Sequence, residues 1–321
     1  MIESDAPGKL ILLGEYAVLF GAPALVTAVE RRARVTLEPA EHFRLSALGL
    51  DVRAEYANEL RIADPRFSLV AAVFDEVLGE GRLPAVAVAV DTEEFYLDGD
   101  KLGLGSSAAV AVALADALRR SQGQTSPPSQ RFRDAYRAHR RAQGGVGSGV
   151  DIAASAFGGV LAYRAPAPGE DTPRDVKRLV WPDALHWRVY WSGRSASTPK
   201  LVSAVERLQE NEPARARERI DVLTRHAYDA VGDFRAGDVH RFLSTVDAFR
   251  AGLEGLGQAA GIDIVSDSHR RIGSIASASG AVYKPSGAGG GDIGVAFAEA
   301  PIPAGPGSVE LQPAPPIEET T

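Results

Sequence analysis

Residues 101–110, KLGLGSSAAV, place two glycines and two serines directly in front of an apolar run. The run predicts a helix over 106–120, with Val110, Leu114, Ala117 and Leu118 on one side and two arginines at its end. Glycine and serine at a helix start leave backbone N–H groups bare, and the helix dipole adds positive potential there. Such a loop suits an anion, and a polyphosphate fits it best. The theme recurs. GGVGSGVDIAASAFGG (144–159) runs from a Gly/Ser loop into a short helix, and YKPSGAGGGDIGVAFA (283–298) runs from a Gly-rich loop into a strand. Of the five lysines among 35 basic residues, three (Lys9, Lys101 and Lys284) stand beside Gly-rich stretches. Lysine offers a compact, movable charge that suits phosphate oxygens.

The rest of the pattern mixes strands and helices, so the expected class is α+β. Strands are expected at 8–13, 31–38, 43–54, 85–92 and 186–193, and extended or short helical structure at 22–29. Helices are expected at 64–78, 129–143, 198–211, 213–232, 238–256 and 262–279. Asp64 caps the first of these, and Pro65 fits its first turn. The clearest is 238–256, with Val239, Phe242, Leu243, Val246, Phe249 and Leu253 on one face. Residues 165–175, APAPGEDTPRD, read as a polar loop, and the tail PAPPIEETT as disordered. The change of character near 185–195 divides the chain into expected domains 1–190 and 191–321.

Composition removes several functions. The net charge of −7 argues against a general nucleic-acid or acidic-membrane binder. With no cysteine there is no disulfide, thiol nucleophile or Cys-ligated metal. The start MIESDAPGKLILLGEY reads as neither signal peptide nor membrane anchor, so a cytoplasmic protein is expected. The P-loop pattern, the His-Glu-x-x-His zinc motif and the G-x-S-x-G elbow are all absent.

PGKLILLGEYAVLFGAPAL (7–25), KLGLGSSAA (101–109) and KPSGAGGGD (284–292) resemble, in order and spacing, the three motifs of the GHMP small-molecule kinases. Within that family, 141–164 and 284–292 look most like the phosphomevalonate kinases. The resemblance implies an N-terminal domain similar to ribosomal protein S5 domain 2, a ferredoxin-like C-terminal domain and an active site between them. It also implies ATP and Mg²⁺ as cofactors, a small-molecule acceptor (phosphomevalonate) and a monomer or homodimer.

Carried over onto this sequence, the resemblance makes Asp151 the catalytic carboxylate, with Lys9 as its partner. Lys101, Gly103, Leu104, Gly105, Ser106, Ser107 and Ala108 would wrap the ATP phosphates, with the Ser107 hydroxyl on Mg²⁺. Gly14, Glu15, Tyr16, Ser148, Gly149, Ser197, Lys284, Ser286, Gly287, Ala288, Gly289 and Gly290 would meet the substrate. One departure stands out: Gly145 occupies a position where the family leads one to expect a basic residue for a phosphorylated acceptor. Arg140, Arg141, Arg194 and Lys200 are the candidate replacements, and Ser195, Ser197 and Thr198 are candidate donors. Mevalonate kinase, diphosphomevalonate decarboxylase and a non-catalytic ligand sensor stay open as alternatives.

Overall fold

The computed structural model describes residues 1–48, 52–56, 62, 64–79, 84–145 and 147–318. The first half is built on β1 (Ile2–Leu13), β2 (Pro23–Pro39), β3 (Phe43–Leu48), β4 (Val52–Tyr56) and β5 (Val86–Asp91). Helix α1 (Ser68–Leu78) precedes β5, and a small hairpin, β6 (Tyr96–Leu97) and β7 (Asp100–Lys101), follows it. Then come α2 (Ser106–Ser121), α3 (Pro128–Ala142), α4 (Val150–Phe157), β8 (Val160–Arg164) and β9 (Asp175–Leu179). The strands lie in the order β4-β3-β5-β2-β8-β9, with β1 also paired to β2. Among the described residues only β3 and β5 pair in parallel. The expected segments 22–29 and 31–38 are one continuous strand, β2, along which β1, β5 and β8 all pair. The expected 43–54 strand is the β3–β4 hairpin, with 49–51 outside the described residues. Strand β9 follows the 165–175 loop and has no counterpart in the sequence reading.

Helix α2 is not one-sided. Every residue from Ala108 to Leu118 is buried, and the helix packs against β1, β2, α1, α3 and α4. Its alanines let five elements approach closely, which a helix of large side chains would prevent. This burial fixes the start of α2, and with it the Gly/Ser loop.

The second half comprises β10 (His186–Trp191), α5 (Thr198–Asn211), α6 (Pro213–Ala236), α7 (Val239–Ala260), α8 (Asp267–Ser277), β11 (Val282–Pro285), β12 (Ile293–Ala298) and β13 (Ser308–Val309). Its antiparallel sheet has the order β11-β12-β10-β13. The two large sheets share no strand, and the change falls at 180–185, ahead of β10. Helix α8 is shorter than the expected 262–279. Trp181, Phe234, Phe242 and Phe297 form a chain of edge-to-face contacts 5.4–5.6 Å apart, from the inter-sheet link to β12. One apolar cluster runs through both halves.

The expected disordered tail is instead ordered through Glu318, with 319–321 outside the described residues. Ala314 is buried and donates to the Ala28 carbonyl at 2.9 Å, and Ile317 donates to Phe157 at 2.9 Å. The prolines that suggested disorder make isolated bridges, Pro313 with Val29 and Pro316 with Gly158. A proline lacks an N–H but keeps its carbonyl, so it can still sit at a sheet margin.

Candidate active site

Lys9 lies on β1, and the 102–105 loop is laid over it. Its backbone N–H donates to Leu104 O at 2.8 Å, and its Nζ donates to Gly103 O at 2.9 Å. Gly105 caps α2 with φ +80°, and a Cβ there would lie 2.9 Å from Lys9 Cγ. Only glycine lets the lysine stem run beneath the loop in that backbone conformation.

Two helix N-termini open into one cleft of about 650 Å³. At the first, Ser106 and Ser107 start α2, and Ser107 Oγ lies 3.2 Å from His139 Nε2 on α3. Gln143 Nε2 lies 3.2 Å from the same ring nitrogen. At the second, Gly149 caps α4 and Asp151 sits in its first turn, accepting from Ile152 N at 2.9 Å. Ser148 Oγ accepts from Val150 N at 3.3 Å, and Tyr163 OH donates to Ser148 O at 2.6 Å, which anchors the loop ahead of α4. Both termini turn positive dipole toward the cleft, although at α4 the Val150 and Ile152 N–H groups are already taken by Ser148 Oγ and Asp151 Oδ1.

Burial pushes the Lys9 amine below its usual range, while Asp151, Asp292 and Glu15 pull it back up and Lys101 pushes it further down. Asp151 acts on Lys9 through space. Among the described residues no salt bridge joins the two, so the expected pair is not a direct contact. Burial raises the Asp292 carboxyl against the pull of the Ala196 N–H, Lys9 and Lys101.

Of the expected residues, Lys9, Glu15, Tyr16, Lys101, Gly103, Gly105, Ser106, Ser107, Ser148, Gly149, Asp151, Gly287 and Ala288 line the cleft. The others do not. Leu104 and Ala108 are core residues, and Gly14 packs on Ala24. Ser197 is exposed outside the cleft. Gly289 and Gly290 lie against Ile264, whose carbonyl takes the Gly290 N–H at 2.8 Å. Ser286 is buried, donating to Ile11 O at 2.9 Å and accepting from Ile11 N at 3.1 Å. Lys284 does not line the cleft. It is fully buried and donates to Glu15 Oε1 at 2.5 Å. Tyr16 OH donates to Ala288 O at 2.6 Å, so the first and third motifs are bolted together.

Among the candidate cations, Arg140 alone lines the cleft. It donates twice to Gly145 O, at 2.9 and 2.5 Å, and lies 5.5 Å over the Tyr136 ring. Arg141 turns to Glu76 at 3.1 Å, Arg194 donates to Gly290 O at 2.8 Å, and Lys200 is exposed. Asp292 and His139 also line the cleft and are additions to the sequence reading. The only hint of Asp292 is a charged residue directly after the Gly run. His139 carries no local signal.

The segment 76–159 matches the model of the GHMP kinases N terminal domain. The phosphomevalonate kinase of Streptomyces sp. (strain CL190) is 32% identical over 339 residues, covering 93% of this chain and 90% of its own. The mevalonate kinase of Thermococcus sibiricus is 29% identical over 224 residues, covering 66% and 63%. Among solved structures, the Lin0012 protein from Listeria innocua superposes with a TM-score of 0.83 at 28% identity, covering 93% and 91%. Streptococcus pneumoniae phosphomevalonate kinase, in complex with phosphomevalonate and AMPPNP, shares the fold with a TM-score of 0.81 at 22% identity, covering 94% and 93%. The chain therefore belongs to the GHMP kinase family. It is an enzyme, a phosphotransferase with that family's fold.

Proposed function

We propose that this chain transfers the γ-phosphoryl group of ATP to the phosphate of (R)-5-phosphomevalonate, giving (R)-5-diphosphomevalonate in the mevalonate pathway of isoprenoid biosynthesis. The observation that carries this reading is the convergence of Lys9, Lys101, Arg140 and two helix N-termini on one cleft. A triphosphate and a phosphorylated acceptor together bring more negative charge than one loop offsets. The likeness in length agrees: the Streptomyces phosphomevalonate kinase matches 93% of this chain, and the Thermococcus mevalonate kinase 66%.

In this reading the 103–107 backbone cradles the triphosphate and Arg140 meets the acceptor phosphate. An acceptor phosphate oxygen attacks the γ-phosphorus, the β–γ bridging bond breaks, and ADP leaves. A phosphate monoester has its second pKa near ~6, so at neutral pH no proton has to be removed. The chain's task is positioning and neutralisation of repelling charges. Lys9 is placed to do the latter, and Asp151 to orient Lys9 and the acceptor. No cluster of three metal-ligating side chains exists among the described residues. Mg²⁺ takes hard oxygen donors and rides on substrate phosphates with few protein ligands, and the cleft offers it the Ser107 hydroxyl. The Ser107 hydroxyl would hold it, and the ion would supply further neutralisation of phosphate charge.

Gly145 favours a second reading, mevalonate kinase, because a non-phosphorylated acceptor needs no base there. A coupled ADP-release assay with both acceptors separates the two. Turnover of phosphomevalonate supports the first reading, and turnover of mevalonate alone supports the second. Release of CO₂ would indicate a decarboxylase, and absence of turnover a ligand sensor.

A further inference from the structure

Asp292 closes the third loop and faces the cleft. Two segments distant in sequence, 192–196 and Gly103, meet on it. Its Oδ1 accepts from Ala196 N at 3.0 Å. Its backbone N–H donates to Arg194 O at 2.7 Å, and its carbonyl accepts from Ser192 N at 2.8 Å. On the other side it packs against Gly103, where a Cβ would lie 2.7 Å from Asp292 Cβ and 2.9 Å from Oδ2. Gly103 has φ +75°, so that contact is open only to glycine. The Gly103 carbonyl is the one that receives the Lys9 amine. Asp292 itself stands at φ 55°, in the left-handed region, and its contacts hold it there.

We propose that Asp292 is a positioning residue for phosphoryl transfer: its carboxylate joins the cleft wall at 192–198 to the Gly103–Lys9 contact and supplies part of the negative field that faces Lys9. The proposal rests on the reading of the cleft as a phosphoryl-transfer site. The wall it tethers carries Ser195 and Thr198, both facing the cleft. The charged groups facing Lys9 are Asp151 from α4, Glu15 from the turn after β1, Asp292 from the third loop, and Lys101 from β7 opposing them. Removing the Asp292 charge takes away one of three attractors, so Lys9 releases its proton at lower pH.

Two full-length variants separate tether from charge. Asp292→Asn keeps an oxygen for the Ala196 N–H and tolerates positive φ, but is neutral. Asp292→Gly also tolerates positive φ and removes both. Lys9 is followed by its Cε chemical shift in ¹³C-lysine-labelled protein, where five lysines give a short spectrum. Both variants are expected to titrate Lys9 at lower pH than the wild type and to move the alkaline limb of kcat the same way. At neutral pH kcat is expected to fall about tenfold or more, as for a small misplacement of reacting groups. The KM for phosphomevalonate is expected to rise in Asp292→Gly and stay near the wild-type value in Asp292→Asn. An unchanged Lys9 titration in both variants would overturn the proposal, as would an equal rise of KM in both. Absence of wild-type turnover would reject the kinase reading, and the Lys9 titration would still decide what Asp292 does.

Discussion

Lys284 and Glu15, 269 residues apart in sequence, form a fully enclosed ion pair at 2.5 Å that joins the third loop to the first motif. Glu15 Oε1 also accepts from Gly287 N at 3.3 Å, while its Oε2 is buried without a partner. Burial pushes the Lys284 amine down and Glu15 holds it up. Breaking one side of such a pair strands a charge away from water, at a cost of about 3–5 kcal/mol. Lys284→Met is therefore expected to lose roughly that much unfolding free energy in urea. Glu15→Leu combined with Lys284→Met is expected to recover much of it. A Lys284→Met protein as stable as the wild type would show that the pair does not hold the loop.

His269 sits beneath the same loop, bonded to Tyr283 OH at 2.8 Å and Gly291 O at 3.0 Å. Burial pushes its pKa down from 6.5 to about 4. Between these values the unfolded chain binds a proton that the folded chain refuses. Stability from this group is full above about pH 6.5 and is lost as pH falls toward about 4, on the order of 3 kcal/mol in all. His269→Gln is expected to flatten the fall in Tm between pH 7 and pH 4.5. A parallel curve in the variant would contradict this.

Ser107 is the hydroxyl best placed at the mouth of α2. Loss of one donor to a transition-state charge costs on the order of 10²–10³ in rate. Ser107→Ala is expected to fall in kcat by that order at saturating Mg²⁺ and acceptor. Near-wild-type kcat would mean that the loop is not the triphosphate cradle.

Arg140 is expected to set acceptor preference. A hydrogen bond to a charged group contributes about 1.5–3 kcal/mol, or roughly 10- to 150-fold. Arg140→Gln is expected to raise the KM for phosphomevalonate within that range and leave the KM for ATP nearly unchanged. A matching rise for ATP would place Arg140 on the nucleotide instead.

The acid limb of the pH–rate profile distinguishes two roles for Asp151. With a phosphate acceptor the limb follows the substrate, near pH ~6. It is expected to persist in Asp151→Asn, with kcat lowered because Lys9 loses an attractor. An acid limb that disappears in Asp151→Asn would reveal a general base, normally worth roughly 10²–10⁴, and would point to an alcohol acceptor.

The sequence by itself determined the features that are local. Gly and Ser before an apolar run specify a helix N-terminus, because capping and backbone freedom act within one turn. Both such termini, at Ser106 and Val150, are where 101–110 and 144–159 put them. The order of the three loops also carried the family. Only the tertiary structure decided which lysines meet the cleft. Lys9 and Lys284 read alike in sequence, each beside glycines, yet Lys9 lies in the cleft wall while Lys284 is sealed against Glu15. It also decided that Asp292 lies against Gly103, that Arg140 turns inward where Arg141 turns to Glu76, and that the proline-rich tail lies on β2 and α4. A side chain's solvation depends on what packs over it, and here that covering comes from segments hundreds of residues away, which no local pattern encodes.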